Sequence, residues 1–507
     1  VIELPAKARV GGAAAKELGL DDVVFDIAIT PNRPDCLGVR GVARDLAAAG
    51  LGKLKKDTIK PVKGSFDSPV PVKLEFDTET KDACPVFAGR LVRGVKNGAS
   101  PDWMQARLKA IGLRPINALA DITNYISFDR ARPLHAYDAD KLTGGIRSRL
   151  GKTGESFDAL DGKIYKIDEE MCVIADDRAV LGLGGVMGGE ETGCTEETVN
   201  VFIESAYFDP RRTARTGRTL NIISDARFRF ERGIDPQSEE LGIEQATAMV
   251  LEMCGGEAST VTVAGQVPKA NRPFSFDMRL ICRLSGLSLS DRKIERILKA
   301  LGIALEGDGH TRKAAPPSWR PDLSIPADLV EEVVRMTGVD RIPATPLPRL
   351  SGVAKPVLTP AQKKARAVRR LLAASRLVEP VTWSFIPKVV ASLFGVGDEE
   401  VALDNPISTE VSVILPSLLQ GLISEAKRNQ DRGFADGALF ELGQATRGLG
   451  ADDQFAAASG VRFGQSSLKG AGRHWSGAAP EAGWEAVKAD ALAALEALGL
   501  GQAKVQI

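Results

Sequence analysis

Between Asp121 and Pro236 four short segments break apolar runs with glycine or polar residues. They read Asp-Ile-Thr-Asn-Tyr (121–125), Pro-Leu-His-Ala-Tyr-Asp (133–138), Gly-Gly-Val-Met-Gly-Gly-Glu (184–190) and Ser-Asp-Ala-Arg-Phe-Arg-Phe-Glu-Arg-Gly-Ile-Asp-Pro (224–236). Packing alone does not call for such a set. A histidine, an amide, hydroxyls, glycine backbone and carboxylates beside apolar runs are the material of a polar pocket inside a β-rich domain. The surroundings agree, because residues 81–265 alternate short strand-like runs with turns. The stretch from Leu181 to Gly189 is rich in Gly, so its backbone must turn tightly or approach something closely.

At 507 residues the chain is too long for one hydrophobic core and reads as three or four domains. Residues 1–62 hold a strand-like run from Val23 to Ile29, then a turn, Thr30-Pro31-Asn32-Arg33-Pro34-Asp35, with Asp35 a candidate N-cap. A helix follows with Val39, Val42, Ala43 and Leu46 on one face and Gly50 as its stop. Residues 63–80 read as a linker and first strand. Ser100-Pro101 opens a helix that buries Trp103, Met104 and Leu108 and stops near Gly112, and residues 238–254 form another. Residues 272–342 read as a small helical or winged domain. In it Ser290 caps a helix with Ile294, Ile297, Leu298 and Leu301 at helical spacing, Gly302 ends it, and a second helix runs from about Asp328 to Gly338. Residues 343–507 read as mixed α/β, with a basic helix opening at Thr359-Pro360, a strand over Val381–Ile386, a helix opening at Leu415-Pro416-Ser417-Leu418-Leu419 and a strand end at Ala438–Gly443.

Lys plus Arg and Asp plus Glu balance at 66 each, so bulk charge does not announce a nucleic-acid binder. Lys363, Lys364, Arg366, Arg369 and Arg370 crowd the basic helix, and Arg211, Arg212, Arg215 and Arg218 crowd one loop. For each, a solvated face is the plainer reading. Cys36, Cys84, Cys172, Cys194, Cys254 and Cys282 are scattered without a Cys-x-x-Cys pair, so zinc is not expected and they read as reduced, mostly core residues of a cytosolic protein. Besides His135, the histidines are His310 and His474, in Gly-rich or polar stretches that read as surface loops. No apolar run is long enough to cross a bilayer and no signal peptide is visible. The chain begins with Val1, and its last residues, Ala-Lys-Val-Gln-Ile, stop as a strand would begin, so it reads as a fragment of a longer protein.

The four segments, together with Ile29-Thr30-Pro31-Asn32-Arg33-Pro34-Asp35-Cys36-Leu37, Pro316-Pro317-Ser318-Trp319-Arg320-Pro321-Asp322, Asp328-Leu329-Val330-Glu331-Glu332-Val333 and Leu415–Leu419, resemble the β subunits of bacterial phenylalanyl-tRNA synthetase, in the family's order and over nearly the whole chain. The resemblance implies a multidomain α+β fold. Residues 1–62 would be the remainder of an N-terminal B1 domain and 63–270 a β-rich B3/B4 editing module. Residues 271–342 would be a winged-helix-like B5 domain, and 343–507 a truncated, catalytically inactive class II synthetase-like α/β domain, B6/B7. The family's oligonucleotide-binding domain would precede Val1, and its ferredoxin-like anticodon-binding domain would follow Ile507. The resemblance further implies a cytoplasmic phenylalanine–tRNA ligase, an α₂β₂ heterotetramer that binds tRNA(Phe), with neither membrane nor DNA as partner. The α subunit would bind ATP and make the adenylate. This chain would support charging and hydrolyse mischarged Tyr-tRNA(Phe).

Four groups then carry site expectations. His135 on its own could be a satisfied, half-buried histidine; the resemblance places it in the editing pocket, where a neutral imidazole can orient a water or the terminal ribose. Thr123 and Asn124, in a strand-like run or at a turn, could hold the substrate's amino group or a water. Glu204 lies inside the apolar run 201–207, where a carboxylate is costly unless paired. Its partner is either one of Arg211 to Arg218 or, as the resemblance implies, the tyrosine hydroxyl, which phenylalanine lacks. Gly184, Gly185 and Gly188 would form the pocket wall, with Ser224 and Ala226 at its floor; turn geometry alone is the alternative for all five. At Gly184 the family often has Ala. No residue reads as an activated nucleophile, which points to water-mediated ester hydrolysis.

Asp328, Glu331 and Glu332 fall on one face of a helix start, where acids also suit the helix dipole, and Asp322 lies nearby. Hard oxygen donors suit Mg²⁺, and the resemblance implies a magnesium site at these four positions shared with the α subunit. Phe440-Glu441 echoes a class II motif, but arginines for ATP phosphates are not evident. Two rival readings are a non-catalytic tRNA-binding and assembly subunit with an inactive pocket, and a free-standing deacylase. His135, Glu204 and Asn124 argue against the first, and the class II-like region against the second.

Overall fold

The computed structural model describes residues 4, 8–269, 272–349, 352, 356–394, 401–466 and 480–501. His474 and the C-terminal Ala-Lys-Val-Gln-Ile lie outside the described residues. The chain is mixed α/β with several sheets and forms two compact units, Val1–Pro346 and Leu347–Ile507.

The first unit opens with α1 (Ala14–Glu17), a 3-10 turn (Pro34–Leu37) and α2 (Val39–Ala48). The apolar run Val23–Ile29 forms no strand, and Val23 and Phe25 are exposed. Asp35 caps no helix. Its carboxylate is buried against Arg33 at 2.9 Å, and Gly38 stands at the N-terminus of α2 instead.

Two sheets follow. One has the order β1 (Val72–Glu75), β4 (Ile146–Leu150), β7 (Cys172–Ala175), β8 (Val180–Leu183), β9 (Met187–Gly188). The other runs β11 (Glu257–Ala258), β2 (Val86–Arg93), β10 (Asn200–Tyr207), β3 (His135–Asp138), with β12 (Thr262–Gly265) also pairing β2. A hairpin, β5 (Ser156–Asp158) with β6 (Ile164–Lys166), packs Phe157 against Val173, Val180 and Leu183 of the first sheet.

The period-two alternation of β2 and β10 explains the layers. Phe87, Leu91, Phe202 and Ala206 turn one way, into a core shared with Ile146, Cys172, Ile174 and Leu181 of the other sheet. Ala88, Val92, Val201 and Ile203 turn the other way, onto the helices. These are α3 (Asp102–Ala110), α4 (Ala118–Arg130) and α7 (Glu239–Cys254), with α5 (Pro210–Thr219) and α6 (Asp225–Phe230) between β10 and α7 in the chain. Helix α3 buries Met104 and Leu108 as expected, but Trp103 is 44% exposed. Ser100 hydrogen-bonds Asp121 rather than capping that helix.

Residues 274–339 pack β13 (Phe274–Asp277), β14 (Ala304–Glu306) and β15 (Thr311–Ala315) with α8 (Arg279–Ser285), α9 (Asp291–Ala300) and α10 (Pro326–Thr337) around Phe276, Ile294, Leu298, Leu329 and Val333. In the second unit, Thr359 caps α11 (Pro360–Ala374) with a reciprocal Gln362 contact. β16 (Phe385–Ile386) pairs β17 (Val413–Ile414), and β18 (Gly437–Thr446) pairs β19 (Gln454–Phe463). Helices α12 (Lys388–Ser392), α13 (Leu419–Asp431) and α14 (Trp484–Ala497) complete it. The strand expected over Val381–Ile386 shrinks to its last two residues, with Val381 and Trp383 exposed.

Candidate functional site

The antiparallel register of β10 and β3 sets Glu204 directly opposite His135 and Phe202 opposite Tyr137. All four side chains therefore share the face turned toward the second sheet. On its other flank Glu204 faces Gly89 of β2, where the Phe202 ring fills the space a side chain would need.

Glu204 is nearly fully buried. Burial pushes its carboxyl up to about 7, against the opposing pull of a hydrogen bond from Tyr137 and the charge of Arg132. The Tyr137 hydroxyl donates to Oε2 at 2.6 Å. Among the described residues no hydrogen bond reaches Oε1. None of Arg211, Arg212, Arg215 and Arg218 pairs with it: they belong to helix α5 rather than a loop, and Arg212 and Arg215 meet Glu170. Asp209 makes that stretch helical by capping it, accepting from the Arg212 N–H at 2.7 Å.

His135 stacks edge-on to Tyr137, with ring centroids 4.4 Å apart. Its Nε2 is enclosed and has no hydrogen-bond partner among the described residues, and burial lowers the imidazole to about 4. The ring is neutral at neutral pH and can accept a hydrogen bond. Gly188 makes room for it. A Cβ there would lie 2.9 Å from Nε2 and 3.1 Å from Nδ1.

The other expected residues divide. Gly184 and Gly185 are near the site but closed over by aromatic rings. A Cβ on Gly184 would lie 2.7 Å from Phe208, and one on Gly185 3.1 Å from Phe208 and Phe230. Ser224 caps α6 and donates to the Val186 carbonyl at 2.5 Å, tying that helix to the glycine-rich turn. Ala226 packs on the same inter-sheet core.

Thr123 and Asn124 are not in a strand. Asn117 caps α4, accepting from Ala120 N–H at 3.0 Å, and Ile122 and Ile126 bury one helical face in the core on the helix side of the sheet. Thr123 Oγ1 donates to its own helix at Ala120 O, and among the described residues no hydrogen bond joins either residue to His135 or Glu204.

Two contributors escaped the sequence reading. Tyr137 lies two residues beyond His135, and strand periodicity alone puts both on one face. Arg132 is buried behind the sheet, donating to Ser205 Oγ and the Ala206 carbonyl, and burial lowers it to about 10. A cavity of about 280 Å³ near Arg132, lined also by Arg44, Gln245 and Trp319, includes none of His135, Tyr137 and Glu204.

The four acids expected to hold magnesium are differently employed. Arg320 binds Asp322 at 2.7 Å and Glu332 at 2.9 Å, and Arg335 binds Glu332 at 2.6 Å. Burial would raise Glu332, but these two arginines outweigh it and hold the carboxyl below its ordinary value. Asp328 accepts from the Ser324 and Ile325 N–H groups at the start of its own helix, and Glu331 is exposed. Among the described residues no three His, Cys, Asp or Glu side chains are grouped to hold a metal. As arranged in this chain, the four acids do not fit a magnesium site.

All six cysteines are free thiols. Burial raises Cys84 well above its ordinary value and Cys172 and Cys194 to about 12, so none of these three is a thiolate nucleophile. His310 is exposed and meets Asp291 at 2.8 Å. In the second unit Glu441 accepts from Thr382 at 2.8 Å. Among the described residues no helix is long and apolar enough to cross a membrane.

Three family models match: a B3/4 domain over residues 83–255, a tRNA synthetase B5 domain over 274–339, and a phenylalanyl tRNA synthetase beta chain CLM domain over 342–507. Over all 507 residues the chain is 52% identical to the phenylalanine–tRNA ligase beta subunit of Nitrobacter winogradskyi, covering 62% of that protein, and 52% identical to that of Bradyrhizobium diazoefficiens, covering 63%. It is 48% identical to the corresponding subunit of Paramagnetospirillum magneticum, again covering 63%. The chain thus spans a little under two thirds of the length of these relatives. Among solved structures, an N-terminal fragment of the phenylalanyl-tRNA synthetase beta-subunit from Pyrococcus horikoshii aligns with 62% of this chain and 90% of that one at 19% identity. Its TM-score of 0.33 carries no weight for the fold.

Proposed function

Because the chain belongs to the family of phenylalanine–tRNA ligase beta subunits, we propose that it serves a cytoplasmic ligase as the subunit that hydrolyses tyrosine wrongly esterified to tRNA(Phe), at the pocket of His135 and Glu204. ATP-dependent charging with phenylalanine, and any magnesium it needs, belongs to an α partner, in an α₂β₂ assembly. The division into a B1 remainder (1–62), a B3/B4 editing module (63–270), a B5 domain (271–342) and a B6/B7 domain (343–507) goes with this reading.

The observation that carries it is the cross-strand pair itself. Buried Glu204 and half-buried His135 are register partners across the strand pair, and among the described residues one carboxylate oxygen and the imidazole Nε2 have no hydrogen-bond partner. A tyrosine phenol donates to the first; phenylalanine cannot, and would leave a buried acceptor unpaired. The imidazole accepts from a water or from the terminal ribose hydroxyl. Water adds to the ester carbonyl, the ester C–O bond breaks, and free tyrosine and the tRNA hydroxyl leave. Gly188 admits the ring, and Ser224, bonded to the Val186 carbonyl, and Ala226 would shape the side of the pocket next to the glycine-rich turn.

The test is deacylation of Tyr-tRNA(Phe) by the protein with and without its α partner, for wild type and His135→Ala. The wild type hydrolyses Tyr-tRNA(Phe), and His135→Ala is slower by about 10²–10⁴-fold if the imidazole moves a proton, less if it only orients. Equal rates for both proteins, or no hydrolysis by either, would contradict the reading.

A further inference from the structure

The hydrogen bond that Glu204 already makes is the feature the proposed function leaves unused. Tyr137 is 2% exposed, its ring lies opposite Phe202 and edge-on to His135, and it belongs to the same buried cluster as Phe87 and Leu91. Swinging it out would open that cluster, so its hydroxyl stays where it is. There it holds Oε2 at 2.6 Å and leaves Oε1 without a partner among the described residues.

The pocket therefore contains a phenol–carboxylate bond of the kind that would recognise tyrosine, made by the protein's own side chain. We propose that Tyr137 is a specificity-determining positioning residue. Its hydroxyl fixes the Glu204 carboxylate so that Oε1 alone is presented, and a substrate phenol is read there as the second of two phenols on one carboxylate. This rests on Glu204 reading the substrate hydroxyl.

The chemistry favours the arrangement. A carboxylate accepts several hydrogen bonds through two oxygens. A bond to one oxygen fixes the rotation of the group and leaves the other to a ligand, which lowers the ordering cost of binding. Arg132, the nearby positive group, is turned to Ser205 Oγ and the Ala206 carbonyl and makes no hydrogen bond to Glu204. Tyr137 alone among the described residues orients the carboxylate by hydrogen bonding.

Tyr137→Phe removes one oxygen and no packing volume. In the full-length protein with its α partner, single-turnover hydrolysis of Tyr-tRNA(Phe) and Phe-tRNA(Phe) is compared for wild type, Tyr137→Phe, Glu204→Ala and the double variant. The expected result is a selectivity ratio lowered about tenfold in Tyr137→Phe, as for loss of a hydrogen bond to a charged group. The ratio is lowered at least as far in Glu204→Ala, and no further in the double variant. Replacing Tyr137 by 3-fluorotyrosine, which keeps the hydroxyl, restores the ratio.

A wild-type ratio in Tyr137→Phe beside a lowered ratio in Glu204→Ala overturns the role of Tyr137 and leaves the reading of Glu204 standing. So does an effect of Tyr137→Phe that persists undiminished without the Glu204 carboxylate. A wild-type ratio in Glu204→Ala overturns both. A purely structural Tyr137 would lower both rates together and leave the ratio unchanged, which also overturns the proposal.

Discussion

Glu204 and His135 are register partners across an antiparallel strand pair, and burial drives their titrations past each other: the carboxyl rises to about 7 and the imidazole falls to about 4. In the unfolded chain their order is the reverse. At neutral pH this strand pair holds a carboxyl near its midpoint beside an uncharged imidazole.

The pair imposes opposite slopes on stability against pH. Glu204 is raised, so its contribution is present below 4.5 and is lost as pH rises through about 7. His135 is depressed, so its contribution is present above 6.5 and is lost as pH falls through about 4. The other charged or titratable groups near Glu204 are Tyr137, Arg132, Cys84 and Cys172, and none titrates in this window. Relative to wild type, Glu204→Gln should gain stability as pH rises from about 4.5 to 7, by roughly 1–3 kcal/mol. His135→Gln should gain stability as pH falls from about 6.5 to 4. Thermal melts of the three proteins across this range check both; parallel curves would show that neither group is shifted by its surroundings.

Gly188→Ala should dislodge the imidazole, because the added Cβ meets the His135 ring while the backbone itself tolerates alanine. We expect a loss of about 1–3 kcal/mol from overpacking, together with a changed His135 titration by NMR. Gly184→Ala should cost a similar amount by pressing on Phe208 and Cys172, with the His135 titration unmoved. Identical histidine spectra in both variants would refute the assignment of Gly188 to the ring.

Glu332 and Glu331 are sequence neighbours with opposite burial. Glu332→Ala removes the buried carboxylate that bonds both Arg320 and Arg335 and should destabilise the chain by about 1–3 kcal/mol, whereas exposed Glu331→Ala should stay within about 0.5 kcal/mol. Added Mg²⁺ should move neither unfolding midpoint. A midpoint that rises with Mg²⁺ in wild type and not in Glu332→Ala would restore the metal role.

Sequence reading reached those parts of the fold that local chemistry dictates. The helix opening at Thr359-Pro360, the apolar face of α9 and the apolar strand around Glu204 are written in neighbouring residues, and the structure places each as expected. Glu204 stood out because a carboxylate in an apolar strand needs an explanation. What local pattern could not supply was partnership at a distance. Thr123 and Asn124 read as a strand-like run or turn, yet the Asn117 cap and the spacing of Ile122 and Ile126 make a helix. Asp328, Glu331 and Glu332 share a helix face by spacing, but only the fold shows that Arg320, twelve residues before Glu332, claims that carboxylate. Val23–Ile29 has strand propensity but no strand to pair with among the described residues. Tyr137 could have been found from the two-residue spacing to His135, but its bond to Glu204 depends on register, which only the folded sheet fixes.

The most direct measurement is single-turnover hydrolysis of Tyr-tRNA(Phe) by the full-length protein carrying Glu204→Ala, assembled with its α partner, with phenylalanine charging measured on the same preparation. The account predicts that preference for the tyrosyl over the phenylalanyl ester falls by about 10–100-fold, as for a buried hydrogen bond to a charged group, while charging proceeds as in wild type. Hydrolysis of Tyr-tRNA(Phe) with wild-type rate and selectivity in the absence of the Glu204 carboxylate would contradict it.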